Sequence, residues 1–115
     1  MNVITTPEGT RDRLFAECTD LRNAQSKLTK LFRGKGYEEI STPEIEYYDL
    51  FLQSGNPIPQ EALLKIVDRS GKLMVMRPDC TAPIARVACT KLKIAPLHQR
   101  LYYNETVFRS GAAHR

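Results

Sequence analysis

Two short stretches carry the residue types that grip a small zwitterion. Residues 76–86 read Met-Arg-Pro-Asp-Cys-Thr-Ala-Pro-Ile-Ala-Arg. This is the pattern of a strand that stops at a proline, turns through an acid and enters a helix at a hydroxyl residue. About twenty residues later, Tyr102-Tyr103-Asn104-Glu105-Thr106-Val107-Phe108-Arg109 reads as a strand that delivers one arginine at its far end. Brought together, Asp79, Thr81 and Arg109 would surround an amino acid, with the carboxylate toward its ammonium and the guanidinium toward its carboxylate.

Each of these residues also has a plainer role open to it. Asp79 suits a helix start, where an acid improves the interaction with the helix dipole and need do nothing else. Thr81 suits the cap of the same helix. Arg109 shares a strand face with Leu101, Glu105 and Val107, so it would point inward and require an anion there. That anion is either a ligand or Glu105, two residues back. No other constellation competes. Cys18, Cys80 and Cys89 form no CxxC pair, His98 and His114 have no metal-ligand or triad spacing, and no glycine-rich phosphate loop occurs. Neither a metal nor a catalytic residue is expected.

A chain of 115 residues is one domain at most. With 42% apolar and 26% charged residues it has an ordinary globular composition. The scattered, odd-numbered cysteines point to reduced thiols and a cytoplasmic protein, and no apolar run is long enough to span a membrane. The net charge of +4 is unevenly spread: residues 1–60 hold seven Lys/Arg against nine Asp/Glu, and residues 61–115 hold ten against four. A basic second half fits phosphates or an acidic partner as well as nucleic acid, and no dense cluster favours nucleic acid.

The elements that must position the two stretches follow from periodicity. Leu14, Cys18, Leu21, Gln25 or Ala24, Leu28, and Leu31 with Phe32 recur every three to four positions, predicting a helix over 14–35 that Asp12 could cap and Gly34 and Gly36 stop. A short strand is expected at 37–41. Residues 44–51 are ambiguous, with helix preferred, and 55–59 is a loop. Residues 63–67 and 72–76 form a hairpin about Asp68-Arg69-Ser70-Gly71. A helix then runs from Thr81 to about Leu92, Pro96 breaks the chain, and a last strand covers 99–109 with large residues on both faces. Such a strand, left unpaired, suggests an N-terminal fragment of a larger domain.

The resemblance of these residues to a known family is specific. Lys35-Gly36-Tyr37-Glu38-Glu39-Ile40-Ser41-Thr42-Pro43 is similar to the first signature of class II aminoacyl-tRNA synthetases, and Val107-Phe108-Arg109 to the start of their second. Pro7-Glu8-Gly9-Thr10-Arg11-Asp12 and Arg77-Pro78-Asp79-Cys80-Thr81 narrow the likeness to the histidyl branch. Within it, Tyr48-Asp49-Leu50-Phe51 and Pro83-Ile84-Ala85-Arg86 resemble best the synthetase-like regulatory subunits of ATP phosphoribosyltransferase, in histidine biosynthesis.

The resemblance implies an α+β fold, part of the class II synthetase-like antiparallel sheet with flanking helices. Residues 1–115 would be the N-terminal part of that core domain, truncated in the loop of the second signature. It implies a non-catalytic, cofactor-free, histidine-sensing subunit with Asp79, Cys80, Thr81 and Arg109 at the histidine. Histidyl-tRNA synthetases place a glutamate at the position of Asp79 to hold the α-ammonium, and their arginine matching Arg109 contacts the substrate carboxylate and the ATP α-phosphate. Two residues after that arginine they carry a glutamate that helps hold adenine. Here that residue is Gly111, within Ser110-Gly111-Ala112-Ala113, which removes one support for adenylate formation. The implied partners are the catalytic subunit of ATP phosphoribosyltransferase, a second copy through residues 35–43, and L-histidine. The alternative is a fragment of a true histidyl-tRNA synthetase, with ATP and tRNA as ligands.

Overall fold

A computed structural model describes residues 4–52, 58–96 and 98–110. The expected loop at Gly55-Asn56-Pro57, and Gly111 to His114, lie outside the described residues. The chain divides into two compact units, residues 1–38 and 39–115.

The first unit is built on helix α1, Ala16–Gly34. Its ending follows directly from sequence. Gly36 takes φ +85°, a left-handed conformation open to glycine at little cost. Its N–H then donates to the Arg33 carbonyl and the Tyr37 N–H to the Phe32 carbonyl, at 3.1 and 3.0 Å. Phe32 and Tyr37 meet edge to face at 5.6 Å across the turn. Together these contacts make a Schellman stop with its accompanying apolar clasp. The start differs from expectation. Phe15, not Asp12, precedes the helix, at φ +49° and with no side-chain cap. Among the described residues, the first turn is braced by Arg11, whose two terminal nitrogens reach the Glu17 carboxylate at 2.8 and 2.7 Å. The predicted apolar stripe is present, and Leu14, Leu28 and Leu31 are each more than half exposed.

The second unit contains strands β1 (Glu38–Glu39, in which the boundary falls), β2 (Ile45–Tyr47), β3 (Leu64–Val67), β4 (Leu73–Met76) and β5 (Leu101–Tyr102), with helix α2 at Thr81–Cys89. Strands β2, β4 and β3 lie in that order, antiparallel, with Ile45 and Leu64 both opposite Met76. Strand β1 is ordered beside β5, and the Ile40 N–H donates to the Tyr102 carbonyl at 3.0 Å. Val75 at the centre of the sheet is fully buried and packs with Phe51 and Leu63, backed by Tyr48, Leu50, Ile58 and Ala82.

The hairpin forms as expected, and its turn is locked by one side chain. Asp68 Oδ1 accepts from the Ser70 N–H, the Ser70 hydroxyl and the Lys72 N–H at 2.9, 2.7 and 2.8 Å. The Ser70 hydroxyl does most to hold that carboxyl below its usual range. Gly71 supplies the left-handed residue at φ +84°.

Three of the expected element assignments need correction. The ambiguous segment 44–51 is not an α-helix: it is strand β2 followed by a 3-10 helix at Tyr48–Leu52, because Ile45 and Tyr47 find ladder partners in Met76 and Met74. Helix α2 ends at Cys89 and not at Leu92, and the backbone turns through residues 90–94. The last strand is two residues long and not eleven. Beyond Tyr102 the ladder gives way to isolated main-chain bonds, from the Phe108 N–H to the Arg77 carbonyl and from the Ser110 N–H to the Ala62 carbonyl, each 2.9 Å.

Candidate amino-acid-binding site at the turn from β4 to α2

The turn that follows β4 is rigid by composition. Pro78 and Pro83 are both fully buried, and each fixes its own φ. Cys80 is the residue before α2 and Thr81 the first helical one; the Ile84 N–H closes the first turn on the Cys80 carbonyl at 3.1 Å. Thr81 is therefore not the cap, and no side chain caps this helix. Thr81 is instead exposed.

Asp79 is half-buried, and its Oδ1 is shut off from solvent with no hydrogen-bond partner. Among the described residues only the Thr42 hydroxyl shares that condition. A buried carboxylate oxygen left without a donor costs about 1–3 kcal/mol or more, so such atoms are rare and call for a partner. A ligand ammonium is a donor of the right charge.

Arg109 comes to the same turn. Its Nε donates to the Pro78 carbonyl at 3.0 Å, one residue from Asp79. It makes no other bond among the described residues, and the residue is exposed. The inward, buried arginine expected from strand alternation is thus corrected. The Nε anchor fixes the stem while the terminal nitrogens stay free to receive an anion. Nor does Arg109 pair with Glu105, which belongs to Arg77.

Arg77 is the residue that sequence reasoning overlooked. It is 2% exposed, and its guanidinium serves three acceptors. Nε reaches the Thr106 carbonyl at 2.7 Å, Nη1 the Thr42 carbonyl at 2.7 Å and Nη2 Glu105 Oε2 at 2.9 Å. Glu105 Oε1 in turn accepts the Thr42 N–H at 3.1 Å. Its partners lie 29, 35 and 28 residues away, so no local spacing signals its role.

Cys80 completes the turn at 2% exposure. Burial pushes its thiol up, the Glu105 and Asp79 carboxylates add to the shift, and the Arg77 charge opposes it. The thiol is therefore neutral at pH 7. Because it titrates higher when folded than when unfolded, its contribution to stability is complete below the ordinary thiol range and is lost as pH rises through its folded value. Near pH 8, iodoacetamide is expected to modify exposed Cys18 and Cys89 first, and Cys80 at least about tenfold more slowly. Peptide mapping checks the order, and equal rates at all three would contradict the burial of this turn.

The remaining candidates lie elsewhere. Arg86 pairs with buried Glu46 at 2.8 Å, beside a groove of about 620 Å³ that runs past Ile40, Thr42, Met74 and Lys91. His98 is exposed, and no group of metal-ligating side chains occurs among the described residues. Tyr102 is buried; Tyr47 is half exposed, with the Lys72 ammonium 4.5 Å over its ring. No helix among the described residues is long and apolar enough to cross a membrane.

Comparison with known proteins identifies the fold and the family. An ATP phosphoribosyltransferase regulatory subunit from Acetivibrio thermocellus is 46% identical over 106 residues, which cover 92% of this chain and 25% of that protein. The solved structure of an ATP phosphoribosyltransferase regulatory subunit/histidyl-tRNA synthetase from Bacillus halodurans superposes with a TM-score of 0.84 at 36% identity, over 92% of this chain and 28% of that one. Apo histidyl-tRNA synthetase from S. aureus superposes with a TM-score of 0.78 at 29% identity, over 93% and 30%. The chain thus spans about a quarter of the length of the curated relatives it matches. The fold is the class II synthetase-like α+β one, with helices and an antiparallel sheet. Matched by the histidyl-tRNA synthetase model over residues 9–115, the chain belongs to the histidyl-tRNA synthetase family.

Proposed function

We propose that this chain is the N-terminal part of a class II synthetase-like core in a non-catalytic, cytoplasmic regulatory subunit of ATP phosphoribosyltransferase. The subunit senses histidine and assembles with the catalytic subunit. Residues 35–43 serve self-association, and nucleic acid is not a ligand. The names of the relatives support the regulatory role. The observation that carries the histidine reading is the donorless, buried Oδ1 of Asp79 beside an arginine anchored by its Nε alone. In this site Asp79 takes the α-ammonium, Arg109 the carboxylate, and Cys80 and Thr81 the flank of the ligand. No proton or bond is transferred, so the site is a sensor.

The test uses the full-length protein with its catalytic partner. Histidine is expected to shift the partner's activity curve by a coupling of about 1–3 kcal/mol. ATP–pyrophosphate exchange is expected to show no dependence on histidine. Histidine-dependent exchange at synthetase-like rates would instead identify a histidyl-tRNA synthetase, and Gly111 would then be no obstacle to adenylate formation.

A further inference from the structure

Arg77 takes no part in the ligand contacts above, yet it touches both segments that make them. Its main chain leads through Pro78 into Asp79. Its carbonyl accepts the Phe108 N–H at 2.9 Å, one residue before Arg109. Its side chain grips Thr106 and Glu105 on that same segment, and Thr42 at the end of the first signature. Residues 103–110 have no strand ladder, so these contacts, with the Arg109 Nε bond to Pro78, replace the ladder that would otherwise set their register.

We propose that Arg77, clamped to Glu105, is a positioning residue that sets the spacing between Asp79 and Arg109 and thereby the site's preference for a ligand bearing both ammonium and carboxylate. This rests on the histidine reading above. The guanidinium fork is suited to the task because three of its nitrogens serve three acceptors in different segments. A lysine, with a single ammonium on a flexible stem, cannot hold all three at once. The pair is nearly sealed, with side chains 3% and 12% exposed, so water does not substitute for a lost contact.

A change in spacing has a different signature from a loss of fold. A lower folded fraction weakens every ligand by the same factor. A displaced Arg109 weakens only ligands that use the carboxylate. The experiment titrates the full-length protein with L-histidine and with L-histidinol, which has the ammonium and imidazole but a hydroxymethyl group in place of the carboxylate. Glu105→Gln keeps the shape of the clamp and removes its charge; Arg77→Lys keeps the charge and removes the fork. Each is expected to weaken histidine by about tenfold or more while changing histidinol less than about threefold, collapsing the preference of the parent. Arg77→Lys serves if Glu105→Gln fails to fold, and the reverse.

Equal weakening of both ligands, or no change in either by a folded variant, overturns the positioning role. Asp79→Asn separates the underlying reading. If Asp79→Asn leaves both ligands unaffected, the site itself is elsewhere. If Asp79→Asn weakens both while the clamp variants leave the preference intact, only the positioning role fails.

Discussion

Arg77→Met is expected to be the most destabilising single substitution in residues 39–110, at about 3–5 kcal/mol. The side chain is 3% exposed and faces a Glu105 carboxylate at 12%. Methionine fills much of the same volume but leaves that carboxylate buried with the Thr42 N–H as its one remaining donor. The carbonyls of Thr42 and Thr106 each lose a 2.7 Å bond as well. The asymmetry of buried pairs predicts a companion result: Arg77→Met with Glu105→Leu should be less damaging than Arg77→Met alone, because no unpaired charge remains. Arg11→Met, at an ion pair of which both partners lie in solvent, should change nothing measurable. Urea denaturation followed by tyrosine fluorescence reads all three, the chain having no tryptophan. A loss below about 1 kcal/mol for Arg77→Met would mean that solvent reaches the pair and that it does not hold residues 105–108.

Local signals were legible and distant ones were not. The three- to four-residue recurrence of apolar positions from Cys18 to Phe32 announces α1, and the Gly36 stop needs nothing beyond its own turn. The hairpin at 64–76 is likewise written in four turn residues flanked by apolar runs. Strand β2 was not legible, since three residues cannot establish a period and its ladder partner lies almost thirty residues away. The partner of Arg77 was hidden for a related reason. Reading 99–109 as one strand puts Glu105 and Arg109 on a single face and invites their pairing. The ladder in fact ends at Tyr102, so alternation has no meaning beyond it, and Glu105 turns to an arginine 28 residues earlier. At the site, the residue types of Asp79 and Arg109 were visible. What no spacing rule conveys is that Arg109 stays exposed and that one oxygen of Asp79 is buried without a donor.

The second large effect is on histidine itself. Asp79→Asn nearly keeps the shape of the side chain and removes the charge that would meet the α-ammonium. Arg109→Lys keeps the charge and removes the planar fork that would meet the carboxylate. A charge-assisted hydrogen bond to a buried ligand group is worth about 1.5–3 kcal/mol, which corresponds to about a ten- to hundredfold loss of affinity for either change. Neither should much alter stability. Asp79 Oδ1 has no partner to lose, and Arg109 gives up one bond to Pro78. Loss of binding without loss of stability is the mark of a ligand contact.

The most direct measurement is a calorimetric titration of the full-length protein with L-histidine, in the parent, Asp79→Asn and Arg109→Lys forms. Saturable one-site binding in the parent, weakened by about ten- to hundredfold in each variant at unchanged melting temperature, is the predicted result. Equal affinity in all three proteins would contradict the account and leave Asp79 and Arg109 as structural residues of the turn.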